Sequence, residues 1–365
     1  MKRHFKKIVT GLLLALALTS LAGCSTGSEK PAAEKPAEQT APANQTPAVG
    51  TVNLYTDRHY DTDDVLYKKF TDQTGITVNV VKGKSDELIE RLQREGADSQ
   101  ADLLITADAG KLHKAKIMSL LQPVTSSALE SSIPAKLRDP ENNWFGLTIR
   151  ARVLVYAKDR VKPADLSTYE NLTVPKWKGK ILVRSSSNIY NQSLMASFIE
   201  LYGKDYGKKW AKGVLANMAR QPEGGDTDQI TAVAAGQGDI AISNTYYLGR
   251  LLNSTNPEEK KIGESVGIFF PDQKEKGTHI NVSGIGLTKA AKNKDNAVKF
   301  MEFLASKEAQ KAFAENNFEY PANPKVEASA LLKSWGEFKA QDISLSVLGE
   351  KNADAAKIFD EVGWK

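Results

Sequence analysis

Cysteine is almost missing from this chain: one residue in 365, Cys24. A single Cys forms no internal disulfide and builds no cysteine metal site, so whatever the protein binds, sulfur is not the ligand. Histidine is scarce as well, four residues in all, and one of them is His4 near the N-terminus. No G-x-S-x-G elbow, Walker loop, H-E-x-x-H or properly flanked G-x-G-x-x-G occurs, so the common hydrolase, nucleotide and zinc-protease signatures are lacking. The nearest approach to a nucleophile is Ser185-Ser186-Ser187, with no base identifiable beside it. A polar loop or helix cap accounts for that run, and no enzyme is expected. Net charge is lacking too. Lys2, Arg3, Lys6 and Lys7 account for four of the 49 Lys and Arg, leaving 45 against 44 Asp and Glu in the remainder. A body so near neutrality has no electrostatic footprint for nucleic acid.

What is present begins with a leader. Residues 1–23 carry a basic start, an apolar run from Ile8 to Leu18 and then Leu21-Ala22-Gly23 before Cys24. The run is a secretory signal peptide, too short for a membrane span. Its end resembles the lipobox of bacterial lipoproteins, which makes Cys24 the lipid anchor. Residues 24–50 add a tether of Pro, Ala, Glu, Gln and Thr, with little to bury and therefore disordered. Anchor, spacer and neutral body form a capture-and-deliver layout on the outer face of the cytoplasmic membrane, the periplasmic side where an outer membrane exists.

The remainder, in a chain 41% apolar and 25% charged, is globular in composition and alternates short apolar runs with helical patterns. Strands are expected at Val52–Tyr55, Ile76–Val81, Asp102–Thr106, Arg152–Ala157, Ile181–Arg184 and Asp239–Ser243. Helices are expected over 62–73, stopped by Gly75, and from a Ser85 cap to Glu95, stopped by Gly96. Such alternation predicts α/β architecture with parallel sheet covered by helices. The body exceeds a comfortable single core, so two lobes are expected. The apolar strands Leu147–Ala157 and His279–Thr288 would be the crossovers, giving 51–148 plus 280–326 as lobe one and 149–279 plus 327–365 as lobe two.

The informative residues are tyrosines. Open α/β sheets bind ligands beyond the carboxyl ends of their strands. His59 and Tyr60 follow one expected strand, Tyr190 another, and Tyr246-Tyr247 a third. Adjacent residues point to opposite faces of a strand, so Tyr246 and Tyr247 converge only in a loop or a first helical turn. Phenolate is a hard anionic oxygen with an ordinary pKa near 10, displaced from its proton at neutral pH only by a hard, highly charged cation. That points to Fe(III) rather than Zn(II) or Cu(I). Any one of these tyrosines taken alone also fits a core or rim position.

Arg58-His59-Tyr60, Ser-Asn-Ile-Tyr190, Asn244-Thr-Tyr-Tyr247, the run Pro175-Lys-Trp-Lys-Gly-Lys180 and His279-Ile-Asn-Val-Ser-Gly284 carry a specific resemblance. The chain from about 51 to 365 resembles the ferric-iron-binding proteins of bacterial ABC importers, in the branch known from cyanobacteria as FutA. The resemblance implies a two-lobed periplasmic-binding-protein type II (transferrin-like) fold with two crossover strands at the hinge. It implies Fe(III) held by Tyr60, Tyr190, Tyr246 and Tyr247, with His59 ranked below them. Members lacking that His often recruit a synergistic anion such as carbonate. A monomer delivering iron to an ABC permease follows from the same likeness.

Charge adds an expectation of its own. Four phenolates on a trivalent ion leave a net of −1 in a partly dry cleft, which calls for a cation nearby. Arg150 or Arg152 on the first crossover and Arg250, a turn after Tyr246, are the candidates, Arg150 and Arg250 foremost. The alternative is a binding protein of the same architecture for an organic cation, which would want carboxylates around an aromatic cage, or for an oxyanion held by backbone N–H groups and Ser186 or Ser187.

Overall fold

The computed structural model describes residues 50–365; the leader, Cys24 and nearly all of the tether read from the sequence lie outside the described residues. The described chain opens with β1 (Gly50–Thr56), α1 (Asp61–Thr74), β2 (Ile76–Lys82), α2 (Ser85–Glu95), β3 (Leu103–Thr106) and α3 (Ala109–Ile117). The short β4 (Leu121–Gln122) and α4 (Ser127–Ser132) lead into β5 (Phe145–Ala157), buried throughout except for half-buried Ile149. Then come β6 (Ile181–Leu182), α5 (Ile189–Tyr202), α6 (Lys204–Asn217), α7 (Asp226–Ala234), β7 (Ile240–Asn244), α8 (Thr245–Leu252) and α9 (Pro257–Ser265). The chain closes with β8 (Val266–Phe269), β9 (Ile280–Thr288), α10 (Lys294–Ala305), α11 (Lys307–Ala312), β10 (Tyr320–Pro321), α12 (Ala330–Ser334), α13 (Val347–Glu350) and α14 (Asn352–Val362).

Local sequence explains the helix ends. Asp61, Asp63 and Asp64 sit in the first turn of α1, where the helix dipole favours negative charge. At its other end Gly75 takes the left-handed conformation, φ 72°, and its N–H returns to the Thr71 carbonyl. Leu66, Tyr67 and Phe70 are buried on one face of α1, and both aromatic rings pack edge-on against Phe300 of α10. Ser85 departs from expectation: it is the first helical residue of α2, not its cap, because its hydroxyl is engaged by the Asp57 carboxylate.

The strand order is β2-β1-β3-β9-β5-β7-β6, with β4 beside β9 and with β8 and β10 beside β5. The sheet is mixed, which corrects the all-parallel expectation. β1 pairs in parallel with β2 and β3, and β6 with β7, but β9 runs against both β3 and β5, and β5 against β7 and β8. A parallel neighbour needs a crossover of a dozen or more residues, usually a helix. Helix-connected neighbours meet that need here, β1 to β2 through α1 and β6 to β7 through α5–α7, whereas β9 lies between β3 and β5 and follows neither of them directly in the chain. β6 is also shorter than expected, ending at Leu182 before Arg184.

β5 belongs to both parts of this sheet. Phe145–Ala151 pair with β9, and Arg152–Tyr156 pair with β7, so the strand changes partner between Ala151 and Arg152. The C-terminal helices are shared similarly: α14 packs on α5 and α6, whereas α13 packs on both α3 and α5.

Candidate functional site

Each tyrosine singled out in the sequence stands at or next to a helix N-terminus. Tyr60 precedes α1 in extended conformation, φ −90° and ψ 139°. Tyr190 is the second residue of α5, where the Asn188 side chain caps the helix by accepting from the Tyr190 N–H at 2.9 Å. Tyr246 and Tyr247 lie in the first turn of α8, directly after β7. That helical start makes the two adjacent rings neighbours, centroids 4.2 Å apart and 30° between planes. The Tyr190 and Tyr246 hydroxyls are 3.4 Å apart, and Tyr60 meets Tyr246 edge-on at 6.4 Å between centroids. The structure thus brings together four phenols from three separate strand ends. Among the described residues no group of three or more His, Cys, Asp and Glu side chains is placed to hold a metal ion.

His59 is exposed. Its Nδ1 lies 3.4 Å from the Asp57 carbonyl, and its ring is tilted beside Tyr60 at 5.1 Å. Ser185 and Ser187 share a hydrogen bond of 2.8 Å and shape the turn entering α5, with the Arg184 and Ser185 carbonyls accepting from Asn191 Nδ2. That is the polar loop anticipated for them.

Burial dominates the acid–base character of the cluster. It pushes Tyr60 up to about 12, assisted by the Glu319 carboxylate and opposed by Arg58, Arg250 and Arg150. Burial likewise holds Tyr190 and Tyr246 well above 10; for Tyr246 the neighbouring Tyr190, Tyr60 and Tyr247 reinforce it. At neutral pH these groups keep their protons until something displaces them. The same shifts fix an alkaline weakness of the ligand-free fold. A phenol whose folded pKa exceeds its unfolded value of about 10 contributes stability that is complete below pH 10 and is lost as the pH rises through the folded value. The melting temperature of the ligand-free protein is therefore expected to be unaffected by Tyr60 ionisation at pH 8 but to fall steeply between pH 10 and 12. A flat melting temperature across that window would contradict the burial of these hydroxyls.

Two sets of ionic side chains back the phenols. Behind Tyr60, Arg58 binds Asp63 at 2.8 and 3.0 Å, Glu319 at 3.0 Å and the Ser283 hydroxyl at 2.7 Å, with its guanidinium 4.8 Å from the Tyr60 ring. Arg150 donates to the same Ser283 hydroxyl at 2.7 Å, lies 3.5 Å from Glu319 and sits 5.9 Å from the Tyr190 ring. Behind Tyr190, Arg152 pairs with Asp226 and donates to Asn191 at 2.9 Å, and Arg184 approaches Asp226 at 3.5 Å. These two guanidinium groups lie 5.9 and 5.4 Å from the Tyr190 ring. Exposed Arg250 covers the Tyr60 ring at 4.3 Å.

Arg150, Arg152 and Arg250 were foreseen near the site. Arg58, Arg184, Asp226 and Glu319 were not foreseen as contributors. Arg58 and Arg184 follow strands just as the tyrosines do, but an Arg beyond a strand ordinarily reads as surface. Glu319 meets Arg58 across 261 residues of chain, a pairing no local pattern announces.

Comparison with known proteins places this geometry. Residues 66–340 match the family described as bacterial extracellular solute-binding protein. Iron uptake protein A1 of Synechocystis sp. is 48% identical over 364 residues, covering 100% of this chain and 98% of its own. The structure of Trichodesmium FutA in complex with iron and citrate is 54% identical, with a TM-score of 0.84 over 87% of this chain and 100% of that one. The Campylobacter jejuni ferric binding protein is 46% identical, with a TM-score of 0.83 over 86% of this chain and 100% of that one. The mixed α/β fold is the solute-binding fold of these structures. The chain belongs to the bacterial extracellular solute-binding proteins, in the branch that includes the iron uptake proteins.

Proposed function

We propose that the protein binds Fe(III) outside the cytoplasm through Tyr60, Tyr190, Tyr246 and Tyr247 and delivers it to an ABC permease, without catalysing a reaction. The observation that carries this reading is the convergence of those four phenols, with the Tyr190 and Tyr246 oxygens 3.4 Å apart. Charge supports it. Fe(III) on four phenolates bears a net of −1, and Arg152 with Arg184 against Asp226 leaves a net of +1 directly behind Tyr190. The Arg58, Arg150, Asp63 and Glu319 group behind Tyr60 sums to zero. The same arginines disfavour an organic cation, which would need carboxylates facing the rings.

In this reading Tyr60 belongs to a first lobe, 51–148 plus 280–326, and the other three phenols to a second, 149–279 plus 327–365. The open protein meets iron on the second lobe, and closure about the crossovers adds Tyr60. His59 stays at the rim, and a small anion such as carbonate fills positions that the phenolates leave. A lipid on Cys24 and the tether keep the monomeric body near the permease, raising its effective concentration there.

Dialysis against ferric citrate with a competing chelator tests the reading: one tightly held iron per chain is expected, and none retained would overturn it. Arg250→Ala is expected to weaken Fe(III) binding by roughly tenfold, the cost of losing a group just outside the ligands. Because Arg250 is exposed, the circular-dichroism melt of the apo variant should match the parent. Parent-like affinity in the competition titration would remove Arg250 from the site.

A further inference from the structure

β5 and the segment entering β9 run antiparallel, with Arg150 opposite Asn281 and Ala151 opposite Ile280. The next opposed residues are Arg152 and His279. A hydrogen-bonded antiparallel pair exchanges two bonds, each N–H to the other's carbonyl. Here one bond is direct: the Arg152 N–H donates to the His279 carbonyl at 2.9 Å. The other passes through a side chain. The Tyr169 hydroxyl accepts from the His279 N–H at 3.2 Å and donates to the Arg152 carbonyl. A phenol oxygen therefore stands in the ladder at the point where β5 changes partner, since Arg152 is also the β5 residue opposite Asn244 of β7.

Tyr169 is fully buried and held from behind. Its carbonyl accepts from Trp210 Nε1 at 2.9 Å, its N–H donates to Asp272 at 3.2 Å, and its ring packs edge-on against Phe198 of α5 at 5.3 Å. Ahead of it, the Arg152 side chain reaches Asp226 and Asn191 and lies beside the Tyr190 ring. One tyrosine thus links the helices behind the site, both crossover strands and the cations beneath a ligand.

We propose that Tyr169 is a positioning residue for iron capture, a pin across the crossovers that couples the angle between the lobes to the seating of Arg152 beneath Tyr190. The proposal rests on the iron reading of the phenol cluster and on the crossovers acting as the hinge. A direct ladder bond would continue the strand pairing unchanged. A hydroxyl accepts and donates at once, so it keeps both buried backbone groups satisfied while separating them. Tyr169→Phe preserves the ring and its packing but leaves the His279 N–H and the Arg152 carbonyl without that partner.

The test loads Tyr169→Phe and the parent with ferric citrate, follows iron transfer to a chelator by visible absorption, and compares X-ray scattering of apo and loaded forms. The variant is expected to keep the parent band, since no ligand oxygen is removed. It should release iron about fivefold faster or more, the scale on which intervening residues modulate coupled sites, and contract less on loading. Parent-like release and contraction would overturn the pin even if the variant melted at lower temperature, because a purely structural bond does only that. No band in the parent would overturn the iron reading, and the pin with it. Should Tyr169→Phe not fold, amide exchange in the unmodified protein decides: the His279 N–H is expected to exchange about tenfold slower or more when iron is bound, and equal rates would overturn the proposal.

Discussion

Tyr246→Phe is expected to weaken Fe(III) binding by far more than the roughly 10–100-fold that loss of an outer partner costs. Tyr246 is the centre of the cluster: its hydroxyl lies 3.4 Å from that of Tyr190, and its ring contacts both Tyr60 and Tyr247. The substitution keeps the buried ring and removes only the oxygen, so packing is retained and the loss reports ligation. The one hydrogen bond it removes, to the Tyr190 hydroxyl, is long at 3.4 Å, so the iron-free variant should melt close to the parent. Tyr202→Phe is the matched control. Tyr202 closes the helix of which Tyr190 is the second residue, about 18 Å further along at the helical rise of ~1.5 Å per residue. Competition titrations should show a large loss for Tyr246→Phe and none for Tyr202→Phe. Equal affinities for parent and Tyr246→Phe would exclude that phenol as a ligand.

Acidification should release iron steeply. Burial holds Tyr60, Tyr190 and Tyr246 protonated at neutral pH in the absence of metal, so each must lose a proton to ligate. The sign follows from linkage. The metal-bound state carries fewer protons than the free state, so affinity rises with pH throughout the range below the phenol pKa values. Each displaced proton contributes a factor of ten per pH unit, and these three of the four proposed ligands alone give roughly a thousandfold per unit. Competition against a chelator of known protonation, between pH 8 and pH 5, measures that slope. Equal affinity at the two ends would contradict tyrosinate ligation. Reduction to Fe(II) acts in the same direction, because it removes one charge from the ion that holds the phenolates.

Much of this site was legible before any fold was known, for a specific reason. The strand ends at Thr56 and Asn244 are marked by short apolar runs followed by polar turns, and the crevice rule needs only such ends to place Tyr60, Tyr246 and Tyr247. The convergence of Tyr246 with Tyr247 followed from helix geometry at the start of α8. Arg58, Glu319, Arg184 and Asp226 were hidden because their roles depend on tertiary pairing. A buried Arg at a strand end and an exposed one read alike, and only the folded chain brings Glu319 to Arg58. Alternation of strand and helix predicted parallel pairs, which hold where helices connect the strands. It missed the antiparallel course of β5 and β9, whose directions are set by where the chain returns. Ser85 misled because a serine ahead of a helix is a good cap in isolation, whereas here Asp57 claims the hydroxyl. The Tyr169 pin left no trace at all: its partners, Arg152 and His279, are 17 and 110 residues away and bind through backbone groups that any sequence supplies.

Phenolate bound to Fe(III) absorbs visible light, whereas an organic cation or an oxyanion in the same cluster leaves the protein colourless. A visible absorption spectrum of the purified protein with stoichiometric ferric citrate is therefore the most direct measurement. A broad charge-transfer band that weakens or shifts in both Tyr246→Phe and Tyr247→Phe is the predicted result, and a colourless parent under the same conditions would contradict the account.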